Sequence, residues 1–142
     1  MSRRDSAFVV IQRREHVLLV KSREKQRWQL PGGGMKPSET PWDAALREVD
    51  EETGLETRIL ALTGMYRRKD ATLVFVFAGR VVGGFSRMGP RHEIAKQRWV
   101  RVRKALRLLS NGARRRLLDA LGRPQVFRAR ATPLSPGRFA AV

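Results

Sequence analysis

One stretch of this 142-residue chain constrains the rest: Gly32 to Leu55, which reads GGGMKPSETPWDAALREVDEETGL. It predicts a glycine turn, a short polar loop and an acid-rich helix. Thr40 suits the helix cap, Pro41 the first helical position, and Asp43 completes a Thr-x-x-acid capping box. Gly54 suits the left-handed residue that ends a helix. At 100° per residue, Trp42, Ala45, Leu46, Val49 and Thr53 share the side expected to pack. Glu48, Glu51 and Glu52 fall together on a different face, at i, i+3 and i+4. Like charges at that spacing repel by about 0.2–0.5 kcal/mol per pair. A divalent cation would turn the repulsion into attraction, and clustered carboxylates are hard oxygen ligands suited to Mg²⁺ or Mn²⁺. The competing reading is a solvated acidic face. Against it stands the basic character of the remaining chain, which makes this its one acid cluster, placed directly after a glycine-rich turn.

Counted from Gly33, the residues fit G-x5-E-x7-R-E-U-x-E-E-x-G-U, where U is bulky and aliphatic. Gly33, Glu39, Arg47, Glu48, Val49, Glu51, Glu52, Gly54 and Leu55 fill every fixed position. The stretch resembles the Nudix box of the Nudix (MutT-like) hydrolases, and Trp28-Gln29-Leu30-Pro31-Gly32 resembles the family's entry to it. The resemblance implies an α/β fold, a Nudix-type α/β/α sandwich with a mixed β-sheet between helices. It also implies hydrolysis within the pyrophosphate unit of a nucleoside diphosphate linked to a further group, X.

One chain of this length makes one domain with room for a core. Apolar content is 42% and there is no cysteine, so neither disulfides nor thiolate metal sites arise. No apolar run approaches the ~20 residues of a membrane span. The apolar run near the N-terminus is short and followed by charge, unlike a signal peptide. A cytoplasmic protein with no membrane partner is expected. The net charge of +17 predicts salt-sensitive attraction to polyanions. It is uneven: residues 1–100 carry 19 Lys+Arg against 12 acids, and residues 101–142 carry 11 against Asp119 alone.

Along the chain, Ser6 to Gln12 and His16 to Lys21 read as the strands of a hairpin. Ser22 to Arg27 is a charged loop, solvent-exposed on one reading; on another, Arg23, Lys25 or Arg27 reaches a substrate phosphate. Thr57 to Arg68 has a β flavour, and Thr72 to Val82 reads as a central strand covered on both faces. Arg98 to Val102 alternates like a strand. Lys104 to Leu109 and Ala113 to Leu121 read as helices, with Leu117, Leu118 and Leu121 facing the core and Arg114, Arg115 and Arg116 mostly facing water. Gly122 and Pro124 end the helix, the domain is expected to span residues 1–124, and residues 125–142 read as a basic, extended tail.

The family resemblance assigns Glu48, Glu51 and Glu52 as metal ligands for Mg²⁺ (or Mn²⁺), joined by a backbone carbonyl of Gly32 or Gly33. It makes Arg47 the residue that orients the glutamates, able to pair with Glu51 at i+4, and Glu39 a structural or outer residue. The general base is Glu48 or Glu51, or else Glu93, which resembles a late-loop glutamate of MutT-like members and reads as a metal ligand or base on one reading and as an exposed loop glutamate on another; His92 beside it reads as bland. Signatures of ADP-sugar, diadenosine polyphosphate and coenzyme A hydrolases are absent, which leaves a nucleoside triphosphate, normal or oxidised, as the expected substrate. An RNA 5′-end pyrophosphohydrolase, with RNA held by the basic C-terminal region, is a second reading. A non-catalytic RNA- or ribosome-binding module on a Nudix scaffold is a third. A homodimer is expected from the family alone.

Overall fold

The structure, a computed structural model, describes residues 4–84 and 94–122. Among these, two apolar runs split by Arg14-Glu15 form the expected hairpin, β1 (Ser6–Arg13) and β2 (His16–Ser22), with Arg13 opposite His16. Short strands β3 (Trp28–Gln29) and β4 (Gly32–Gly34) precede helix α1 (Pro41–Thr53). Two long strands follow, β5 (Leu55–Arg67) and β6 (Leu73–Gly84), then β7 (Ile94–Arg101) and helices α2 (Val102–Leu108) and α3 (Asn111–Leu121).

The strands run in the order β3-β2-β1-β6-β5, with β4 on β1 and β7 on β2. The β1–β6 pair is parallel and the others are antiparallel, so the sheet is mixed. Alternation along each strand sends side chains to two cores. On one face Val10, Val74 and Val76 meet Ala105 of α2 and Leu117 of α3. On the other, Ala7, Val9, Ile11 and Phe77 meet Ala44, Ala45 and Val49 of α1. The expected arrangement of a mixed sheet between helices is therefore what forms. β6 is the central strand its apolar run predicted, because valines serve one core while Phe77 serves the other.

Helix α1 begins and ends at the predicted signals. The Thr40 hydroxyl accepts from the Asp43 N–H at 3.1 Å, the Thr40 N–H donates to Asp43, and Gly54 adopts φ 78°. Its packed arc differs from the expected one. Ala44, Ala45, Val49, Glu52 and Thr53 are buried, while Leu46 is 37% exposed. The cause lies in β4, predicted as a turn but formed as an edge strand of three glycines. With no side chains on that strand, α1 settles with an acidic residue in the middle of its contact face. A similar shift occurs on α3, where Leu117 is fully buried but Leu118 is 49% exposed, and Arg116 is half-buried. A helix lying against a nearly flat surface buries one leucine of an adjacent pair.

No helix among the described residues is long and apolar enough to cross a membrane. Glu93, His92 and the basic segment 125–142 lie outside the described residues.

Candidate active site

The acid cluster sits where α1 crosses β4. Glu52, 8% exposed, accepts a hydrogen bond from the Gly32 N–H at 2.9 Å. A buried carboxylate needs such a donor to offset lost hydration. The Glu48 carboxyl lies against Gly33: a Cβ at that position would stand 2.8 Å from the Glu48 Cδ. Gly32 itself has φ 148°, and a Cβ there would meet the Ala7 carbonyl oxygen at 2.3 Å. Glycine is thus required at 32 by backbone geometry and at 33 by the neighbouring carboxylate.

Arg47 ties the cluster together. Its Nε donates to Glu39 Oε2 at 2.6 Å and its Nη2 to Glu39 Oε1 at 3.0 Å, a two-pronged pair. Its Nη1 donates to Glu48 Oε1 at 3.0 Å and to Glu51 Oε1 at 2.9 Å. Nη2 also donates to the Gly34 carbonyl at 3.0 Å. The expected pairing with Glu51 is present, and the reach to Glu39 and Gly34 extends it. Glu39 also accepts from the Lys36 N–H at 2.8 Å, which closes the loop before α1. The Arg47 guanidinium pulls the Glu39 carboxyl from 4.5 down to about 2. In return the hydrogen bonds that Arg47 donates to Glu39 raise the pKa of Arg47, which stays charged at every accessible pH.

Glu48 and Glu51 thus converge on one cationic nitrogen, and Glu52 is anchored one strand residue away from Glu48's seat. Among the described residues no three acidic or histidine side chains already form a closed metal-binding group. The donors are all carboxylate or backbone oxygen, which is the chemistry of a hard divalent cation. Glu51 is the exposed member, with its side chain 42% exposed. The glycine strand leaves backbone, not side chains, facing the glutamates.

Arg23, Lys25 and Arg27 are exposed on the turn between β2 and β3. That turn is closed by its own bonds, from the Gln26 N–H to the Ser22 carbonyl and the Lys25 N–H to the Ser22 hydroxyl. β3 pairs with β2, whereas β4 pairs with β1, so the turn and the glycine strand attach to different strands. Two participants were missed from sequence: the Gly34 carbonyl and Arg4, whose guanidinium lies over Gly34. Neither carries a motif signal.

A mixed sheet between helices, with an arginine-tied glutamate helix on a glycine edge strand, is the framework of a Nudix domain. The sequence profile of the NUDIX domain matches residues 2–121, and the chain belongs to that family. A Bacillus subtilis (strain 168) protein provisionally named an 8-oxo-dGTP diphosphatase is 38% identical over 96 residues, 66% of this chain and 64% of that protein. Diphosphoinositol polyphosphate phosphohydrolase 3-alpha of Mus musculus is 47% identical over 70 residues, 46% of this chain and 43% of that protein. The chain therefore matches less than two thirds of the length of either relative. A solved NUDIX hydrolase from Nitrosomonas europaea shares the fold, with TM-score 0.69 at 24% identity, over 83% of this chain and 88% of that one.

The glycine strand supplies a direct check on the site. Gly33→Ala keeps an allowed backbone but drives a methyl group into the Glu48 carboxyl. The expected result is a melting temperature close to that of the parent with turnover reduced about 10–100-fold. Thermal melts beside steady-state rates decide it, and an unchanged rate would remove Glu48 from the site.

Proposed function

We propose that this chain is a metal-dependent hydrolase that cleaves a pyrophosphate bond in a nucleoside diphosphate linked to X, with a nucleoside triphosphate, normal or oxidised, as its substrate. The observation that carries this reading is the convergence of Glu48 and Glu51 on one cationic atom beside a strand of bare backbone, with Glu52 anchored to that strand. Family membership supports the reaction class, and the name of the Bacillus relative supports an oxidised triphosphate.

In this reading Glu48, Glu51 and Glu52, with a carbonyl of Gly32 or Gly33, hold Mg²⁺ or Mn²⁺. Such an ion, when bound, polarises a phosphoryl oxygen, neutralises developing charge and lowers the pKa of water. Arg47 fixes the two outer glutamates and ties them, through Gly34, to the strand along which phosphates would lie. Glu48 or Glu51 takes the proton of the attacking water; Glu93 is the alternative base. The name of the mouse relative adds a second kind of substrate, a diphosphate carried on a phosphate-rich alcohol in place of a nucleoside.

A hydrolysis screen with Mg²⁺ or Mn²⁺ tests this. It would set nucleoside triphosphates, normal and oxidised, beside nucleotide sugars, dinucleoside polyphosphates, diphosphoinositol polyphosphates and 5′-triphosphorylated RNA. Glu52→Gln is the control, because its amide oxygen can still accept from Gly32 while the charge is gone. Turnover of one class that collapses in the control names the substrate. No turnover of any class, with salt-sensitive RNA binding equal in both proteins, would replace the enzyme by a binding module.

A further inference from the structure

Gly34, Ser6, Val74 and Tyr66 form one cross-strand row, through the register pairs Ser6–Gly34, Ser6–Val74 and Tyr66–Val74. Paired residues point to the same face of a sheet, here the face that α3 covers, where Val74 and Tyr66 join the core beneath that helix. Three guanidinium groups follow this row. Arg4 lies over Gly34, within about 3 Å of where a Cβ would stand. Arg68 donates to the Ser6 hydroxyl at 3.1 Å and approaches the Arg4 carbonyl at 3.5 Å. Arg116 stacks over the Tyr66 ring at 5.5 Å.

Charges of one sign are not gathered this way for stability. Arg68 and Arg116 are half-buried, and none of the three makes an ion pair with a described carboxylate. The acids on neighbouring segments are engaged otherwise. Asp119 accepts from the Tyr66 hydroxyl at 2.6 Å, Asp5 from the Leu73 N–H at 2.8 Å, and Asp70 from Thr72 at 2.6 and 3.0 Å. Burial, and then the charge of Arg68, lower the pKa of Arg116. A bound anion would relieve both costs.

The row also abuts the candidate active site. Gly33 bears the Glu48 carboxyl on the α1 face, and its neighbour Gly34 bears Arg4 on the α3 face while its carbonyl holds Arg47. One bare strand separates the two clusters. We infer that Arg4, Arg68 and Arg116 form a site for phosphate groups of the substrate beyond the pyrophosphate that is cut, so that the same reaction extends past a plain nucleoside triphosphate, which leaves this row empty, to substrates whose X is itself phosphorylated. This rests on the proposed reaction for its catalytic meaning, but the anion site has its own readout.

The test is calorimetric binding of inositol hexakisphosphate, which has dense phosphate and no anhydride bond, at about 0.15 M salt without metal. The variants are Arg68→Gln and Arg116→Gln, with Arg103→Gln on the exposed side of α2 as the charge-matched control. Each row variant is expected to weaken binding about tenfold or more, against little change in the control, since hydrogen bonds to charged groups are the strong ones. Equal weakening in all three would reduce the effect to net charge and overturn the site, as would absence of binding by the parent protein. Thermal melts exclude loss of folding, and Arg68→Lys, which keeps the charge, should restore part of the binding. In the hydrolysis screen the row variants should raise KM, with kcat kept, only for substrates whose X bears phosphate; an equal rise for a plain triphosphate would overturn the assignment to X. Binding that follows this pattern in a protein that hydrolyses nothing would leave the anion site standing and sink the proposed reaction alone.

Discussion

Glu51→Gln is expected to lower kcat by about two to three orders of magnitude, with the melting temperature almost unchanged. The asymmetry follows from where the side chain stands. Glu51 is 42% exposed, and its described hydrogen bonds run to Arg47 alone. A partly exposed ion pair contributes about 0–1 kcal/mol to folding, and Arg47 keeps Glu39 and Glu48 when Glu51 is neutralised. In the proposed reaction, by contrast, its charge is one of three that hold the metal against a polyphosphate. Rates measured over a Mg²⁺ or Mn²⁺ titration, alongside melts, separate the two roles. A partial recovery at high metal concentration identifies a ligand, and a rate within about twofold of the parent would exclude Glu51 from the metal site.

The second large effect is on the fold. Arg47→Ala should destabilise the protein by about 3 kcal/mol, because it strands Glu39, Glu48 and Glu51 together without their common cation. Arg47→Lys should recover only part of this, since an ammonium cannot reproduce the fork that meets Glu39 through two nitrogens and Gly34 through one of them. The same pair sets an acid limit. The folded-state pKa of Glu39 lies at about 2, below its ordinary 4.5. Its contribution is therefore present in full above 4.5 and is lost as pH falls toward about 2. Denaturation curves across that window should show the loss in the parent and a much shallower one in Arg47→Ala. Parallel curves would mean that Glu39 does not draw its stabilisation from Arg47.

Much of the site was legible because its signals are local. The capping box of Thr40 and Asp43, the stop at Gly54 and the nine fixed positions from Gly33 to Leu55 are written in near neighbours, and α1 forms between those marks. The hairpin and the central strand were equally plain, since apolar runs and turn residues define them without reference to distant parts. Packing faces were less so. Leu46 and Leu118 lie beside truly buried residues on the helical wheel, and a rotation of a few tens of degrees decides which is covered. That rotation depends on the surface beneath the helix, which no window of sequence contains.

What the sequence by itself determined is the helix, its three glutamates, the arginine four residues before Glu51 and the glycines before them, all set by short-range geometry and by a spacing that one turn of helix imposes. Tertiary structure alone decided that Glu52 is the buried glutamate and Glu51 the exposed one, that the glycines form an edge strand, and that Arg4, Arg68 and Arg116 meet over one row of the sheet. The physical reason is separation: these arginines lie just after β5, on α3 and ahead of β1, and only strand register and helix packing bring their charges to the same face.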